Sequence, residues 1–136
     1  MNDNELKVFT LEEANRILPK LSELIDRLHE KQDHIGEIEV EIDTLELIND
    51  PAKGSSAPTF EKLLAKHRQL VGEFYAIVDQ IHSYGCFLKD ADMGLIDFYG
   101  VVEGRVVYFC WHTGEEQVNF WHEVGQGYAN REPLEN

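Results

Sequence analysis

The sequence predicts an α+β fold in which a long antiparallel helical hairpin packs on a small three-stranded antiparallel sheet. Three observations carry this. Apolar residues recur at three-and-four spacing from Leu11 to Leu45, and again from Phe60 to Tyr84, the signature of two helices with one buried stripe each. A loop-forming stretch, NDPAKGSSAPT at 49–59, separates them. From Gly94 to Gly127 the pattern changes to alternation, rich in β-branched and aromatic residues and broken by Glu103-Gly104 and Thr113-Gly114-Glu115-Glu116.

Taken in order, residues 1–8 read as a frayed or extended lead-in. Thr10 and Glu13 form a capping box, so the first helix starts at Leu11. Pro19 lies inside its pattern and removes a backbone donor, which predicts a kink, or a break and restart. After Gly36 this helix carries acidic residues but no lysine or arginine up to Asp50, a solvated end. The second helix, from about Phe60 to Tyr84, has a heptad-like, coiled-coil seam (Phe60, Leu63, His67, Leu70, Phe74, Ile77, Ile81) and ends at Gly85 as a left-handed cap. His67 reads as a satisfied seam residue. At about 1.5 Å per residue the helices span roughly 60 and 40 Å, more than a small sheet covers. The hairpin's free end is therefore expected to self-associate as a homodimer.

Cys86–Asp90 reads as a brief extended piece and Ala91–Gly94 as a turn. Glu103-Gly104 suits a two-residue primed hairpin turn, which pairs Val102 with Arg105, Asp97 with Cys110 and Leu95 with His112. A four-residue connection at 113–116 then pairs Cys110 with Asn119. Side chains alternate across a strand, so this register sorts the sheet into two faces. Ile96, Phe98, Val102, Val107, Phe109, Trp111, Val118, Phe120 and His122 fall on the core face. Asp97, Tyr99, Tyr108, Cys110, His112, Trp121 and Glu123 fall on a mixed polar and aromatic face where a ligand would be met. The chain divides into a helical hairpin at 10–85, a β-meander at 94–124 and a tail at 125–136, all within one domain.

With 136 residues and 43% hydrophobic content the chain can bury a core. Its net charge of −14, from 26 acidic and 12 basic residues, repels a phosphate backbone, so nucleic acid is excluded as a partner. No apolar run reaches the roughly 18 residues of a membrane helix and the N-terminus is no signal peptide, which points to a cytoplasmic protein. Cys86 and Cys110 lie outside any CxxC spacing and are expected to be reduced.

Two constellations carry chemistry. Asp97, Cys110 and His112 share the polar face in the inferred register, and carboxylate, thiolate and imidazole suit a divalent ion such as Zn²⁺, Mn²⁺ or Fe²⁺. The same groups are the parts of a Cys-His-Asp nucleophilic site. A small buried thiol, a turn aspartate and a surface histidine are the plainer reading. The second constellation is His122 with Glu123. Adjacent strand residues face opposite ways, so a bulge near Gly125 is needed to join them. His122 under the helices would otherwise be partnered by Glu12, Glu13 or His82, as a metal site or as a core histidine held by one carboxylate. Glu115 is a turn residue or a partner of Arg131 or Arg105. No GxGxxG, P-loop, GxSxG or HExxH is present.

The order FTLEEANRILP, GCFLKD, GLIDF, CW, GE and WHEVGQGY with a following Arg resembles a prokaryotic family of unknown function, DUF2203, over nearly the whole chain. The resemblance implies that Cys110-Trp111, Gly114-Glu115 and Trp121-His122-Glu123 are signature residues. It brings no established activity. His112 stands where the family usually has a basic arginine, so a role for it would be particular to this chain. The functional expectation is a small binding protein with a divalent-metal or small-ligand site on the sheet. The alternative is an interaction module without a site, and metal-assisted hydrolysis ranks behind both.

Overall fold

A computed structural model describes residues 7–48 and 57–134. Two helices, α1 (Leu11–Ile48) and α2 (Ala57–His82), precede a meander of β1 (Phe87–Asp90), β2 (Leu95–Val102), β3 (Arg105–His112), β4 (Phe120–His122) and β5 (Glu132–Pro133). Among the described residues the sheet has five strands in sequential order, each antiparallel to its neighbour, rather than the expected three. The additions are both edges. Phe87–Asp90, expected only as an extended piece, pairs with β2, and the tail returns through a 3₁₀ turn at Tyr128–Asn130 to supply β5. Such short edges leave little backbone open to further pairing.

The α1 start is capped as the sequence indicates: the Thr10 N–H donates to Glu13 Oε1 at 2.8 Å and the Glu13 N–H to Thr10 Oγ1 at 3.1 Å. Of the two outcomes expected at Pro19, a kink or a break and restart, the break does not occur, and α1 is one helix through it. Pro19 leaves the Asn15 carbonyl without its usual helical donor, and the Asn15 side chain accepts the Val118 N–H at 2.7 Å. That position of α1 is tied to the loop that precedes β4. Helix α2 begins at Ala57, earlier than Phe60, and Gly85 closes it at φ +92°. The expected reversal at 49–59 falls mostly on residues outside those described, as does most of the lead-in. Of the latter, Val8 bridges Tyr99.

One sheet face buries Ile96, Phe98, Val107, Phe109 and Trp111 against Leu18, Leu21, Leu24, Ile25 and Leu28 of α1 and Ile77 and Ile81 of α2. Each such side chain is worth about 1.5–3 kcal/mol in burial, so this layer dominates stability. The outer arm differs. None of α1 beyond Leu28 is buried, and its seam is closed by Lys31–Glu73 at 2.8 Å and His67–Glu39 at 3.0 Å.

Glycine permits one close approach in the core. A Cβ at Gly100 would overlap the ring of Phe109 on β3. Gly100→Ala is expected to cost about 1–3 kcal/mol by overpacking, read as a lower urea midpoint. Gly36→Ala, which meets nothing within 4 Å, serves as the control.

Candidate metal centre

The β2–β3 hairpin fixes the first two residues of the site. Glu103 and Gly104 turn at φ +52° and +77°, and the pairing Val102↔Arg105, Asp97↔Cys110, Leu95↔His112 is the one the two-residue turn demands. Asp97 and Cys110 thus sit side by side on the face away from the helices. The third residue arrives differently from expectation. Cys110 pairs with Phe120, Phe109 with Trp121 and Tyr108 with His122, one residue out of the register drawn from the sequence. A one-residue slip exchanges the faces of the whole strand. Trp121 therefore joins the core, while Phe120 and His122 move to the face of Asp97 and Cys110. The placement of His122 under the helices, with Glu12, Glu13 or His82 as partners, is corrected by this register.

The slip comes from the β3–β4 loop, seven residues rather than four. Its backbone turns around Glu115, whose carbonyl accepts the Trp111 indole N–H at 2.9 Å and whose Oε1 accepts the His112 N–H at 2.8 Å. Arg131 grips the same carboxylate with two N–H donors at 3.1 and 3.0 Å, and its guanidinium lies 4.0 Å over the Phe120 ring. Glu115 and Arg131 tie the loop, β4 and the tail into one unit.

Asp97, Cys110 and His122 are buried at 3%, 1% and 2% exposure, and one ligating atom of each lies within 4.8 Å of the others. His122 Nε2 is 3.1 Å from Asp97 Oδ2, and Nδ1 is 2.9 Å from the Glu123 carbonyl. A carbonyl only accepts, so Nδ1 carries a proton. In the neutral ring, Nε2 then turns a lone pair towards a carboxylate oxygen. Two acceptors face one another, and something positive must lie between them: a proton or a metal ion.

Burial raises the Asp97 carboxyl above its ordinary range, partly offset by His122, Lys89 and Cys110. Burial, with the Asp97 charge beside it, pushes the Cys110 thiol up to about 12. The thiol is thus neutral near pH 7, and the imidazole is hydrogen bonded to Asp97 instead of to sulfur. Neither property suits the Cys-His-Asp nucleophile. A metal would reverse the first, because a coordinated thiol loses its proton.

The other sequence candidates lie elsewhere. His112 is half-buried, its ring 5.7 Å from that of Tyr128, and outside the cluster. The Glu123 side chain pairs with Arg105. Glu12 pairs with Arg16 at 3.0 Å, Glu13 belongs to the cap, and His82 is exposed at the end of α2. Cys86 and Cys110 are both free. Sequence reasoning did not find Lys89, whose ammonium lies 4.7 Å over the Tyr108 ring, or the stacked pair Tyr99–Tyr108 at 4.8 Å. The signal available was the KD of GCFLKD, which becomes informative only once that segment is a strand.

Residues 7–134 match the model of the family described as Uncharacterized conserved protein (DUF2203). The chain belongs to that family. No curated protein and no solved structure matches it.

Proposed function

We propose that this DUF2203 member is a small divalent-metal-binding protein whose ligands are Asp97 Oδ2, Cys110 Sγ and His122 Nε2. The carrying observation is the acceptor-to-acceptor approach of His122 and Asp97 with Nδ1 held by a backbone carbonyl. That outer hydrogen bond is the usual means of aiming a histidine lone pair at a metal. Tetrahedral coordination at 2.0–2.3 Å places ligand atoms roughly 3.3–3.8 Å apart, so the 3.1 Å N–O distance is near its bound value and the sulfur has about 1 Å to move at most. Nitrogen, sulfur and oxygen donors together suit Zn²⁺ best, with Fe²⁺ and Mn²⁺ behind it. The metal would supply Lewis acidity. The residues supply orientation and the three ligand atoms. Cytoplasmic residence suits the two free thiols.

Elemental analysis of tag-free protein, as purified and after reconstitution, tests this. Up to one equivalent of metal is expected, lost in His122→Ala and retained in His34→Ala. Equal retention by both variants, or no uptake on reconstitution, would end the proposal.

A second reading concerns the arm, and a specific observation favours it. Val40, Leu47 and Ile48 are 64%, 87% and 69% exposed on the outer half of α1, and Tyr75 is 59% exposed on α2. Residues 37–48 hold five acidic and no Lys or Arg residues, whereas 57–70 hold Lys62, Lys66 and Arg68 against Glu61. Two arms meeting with α1 of one copy against α2 of the other attract, while α1 against α1 repels. We propose a homodimer built through these arms. No described helix is long and apolar enough to cross a membrane.

A further inference from the structure

Phe87 pairs with Asp97, and a bulge before Asp90 brings Asp90 opposite Leu95. Lys89 therefore leaves the backbone of β1 near the Leu95 end of the site face. Its ammonium is found at the other end, 4.7 Å over the ring of Tyr108, the residue paired with Tyr99, and 5.5 Å over that of Phe87. Between those two ends lies the Asp97↔Cys110 pair. The side chain thus runs along the edge of the site on the β1 side, its ammonium beside the ring of Tyr108, the β3 residue paired with His122, and Lys89 itself is exposed.

Two cations border the site, and they differ in commitment. Arg131 is held by both oxygens of Glu115. Lys89 makes none of the ion pairs found among the described residues and rests on aromatic faces alone. A divalent ion bound by one carboxylate, one thiolate and one neutral imidazole has no net charge left, and three protein ligands leave one tetrahedral position open. A single uncommitted ammonium beside a neutral, open metal favours a ligand of one negative charge. The Tyr108 and Tyr99 hydroxyls lie 3.3 Å apart, and one hydrogen bond between them leaves one of the two protons free for an acceptor on the same rim. The walls there, Phe87, Tyr99 and Tyr108, are flat aromatic rings packed within 4.8–6.2 Å of one another, which suits a small planar anion.

We propose that the metal takes a small carboxylate as its fourth ligand, and that Lys89 is the residue that receives it. This rests on the metal reading above. The carboxylate replaces a metal-bound water, with no bond made or broken in the protein.

The full chain loaded with Co²⁺, whose visible spectrum reports its ligands, tests the two readings separately. Titration with acetate should shift the visible bands to saturation. Lys89→Ala should bind the same amount of Co²⁺ and raise the acetate Kd at least tenfold, with Lys89→Arg in between. If Co²⁺ binds and acetate leaves the spectrum unchanged, or if Lys89→Ala titrates like the unaltered chain, the carboxylate proposal is overturned and the metal reading stands. It is equally overturned if Lys89→Ala loses Co²⁺, or if inorganic phosphate binds in preference to acetate. Failure of the unaltered chain to take up Co²⁺ overturns the metal reading and this proposal together.

Discussion

Asp97→Asn is expected to raise the melting temperature of the metal-free protein and to abolish metal uptake. Desolvation is the largest influence on the Asp97 carboxyl and lifts its pKa above the ordinary 3.8, with His122, Lys89 and Cys110 only partly opposing. A carboxyl whose folded pKa is raised contributes stability that is fully present below its unfolded pKa. That contribution is lost as pH rises through the folded pKa. Metal-free protein should therefore weaken over the range from about pH 4 upward through the raised value. The asparagine amide has the same shape, carries no charge, and offers Nδ2–H to the lone pair of His122 Nε2, so the buried contact is satisfied without an ion. A gain of about 1–3 kcal/mol near neutral pH is expected. Excess metal should invert the order, since a ligand at a hundredfold excess over its Kd adds about 2.7 kcal/mol to the unaltered chain and nothing to the variant. Thermal unfolding in EDTA and in Zn²⁺, from pH 4 to 8, reads both halves. A variant less stable than the parent throughout the EDTA series would mean that the Asp97 carboxylate stabilises the apo fold through its pair with His122. The pocket would then be a salt bridge and not a site held ready for a metal.

The same residues show what the sequence could and could not disclose. The pairing of Asp97 with Cys110 was legible because Glu103-Gly104 is a local device: two residues with positive φ fix eight pairs. The capping box and both helices were legible for the same reason, their signals lying within a turn of one another. His122 was named as a candidate but set on the wrong face. Its register depends on Glu115 meeting Arg131, 16 residues away, and on Val118 meeting Asn15, 103 residues away. No spacing rule carries such information. Edge strands of four and two residues, one containing Pro133, are too short for alternation to mark. That α1 does not break at Pro19 has a related reason. Core contacts of Leu18, Leu21, Leu24 and Ile25 around it outweigh one missing hydrogen bond. Lys89 was invisible because its significance comes from a strand pairing and a side chain lying across that strand's neighbour.

Replacing Val40 and Leu47 by Glu is expected to convert a dimer into a monomer without unfolding it. Both side chains are largely exposed in the single chain, at 64% and 87%, so adding charge there costs the monomer little. In the dimer the same carboxylates would be buried against apolar surface, which costs several kcal/mol and shifts the equilibrium by two or more orders of magnitude. Leu70→Asp provides the contrast. Leu70 is 2% exposed in the α1–α2 seam, and a charge there should destabilise the hairpin by about 3 kcal/mol or more whatever the oligomeric state. The charge arrangement adds an independent sign. If acidic α1 meets basic α2 of the other copy, raising salt from about 0.05 to 0.5 M should weaken association. Reversing Lys62, Lys66 and Arg68 to Glu should weaken it further at low salt. Sedimentation velocity at tens of micromolar distinguishes these cases by mass and frictional ratio together. A monomer under all conditions would remove the homodimer, leaving the outer arm as a helical pair held by its own seam and by the Lys31–Glu73 and His67–Glu39 contacts.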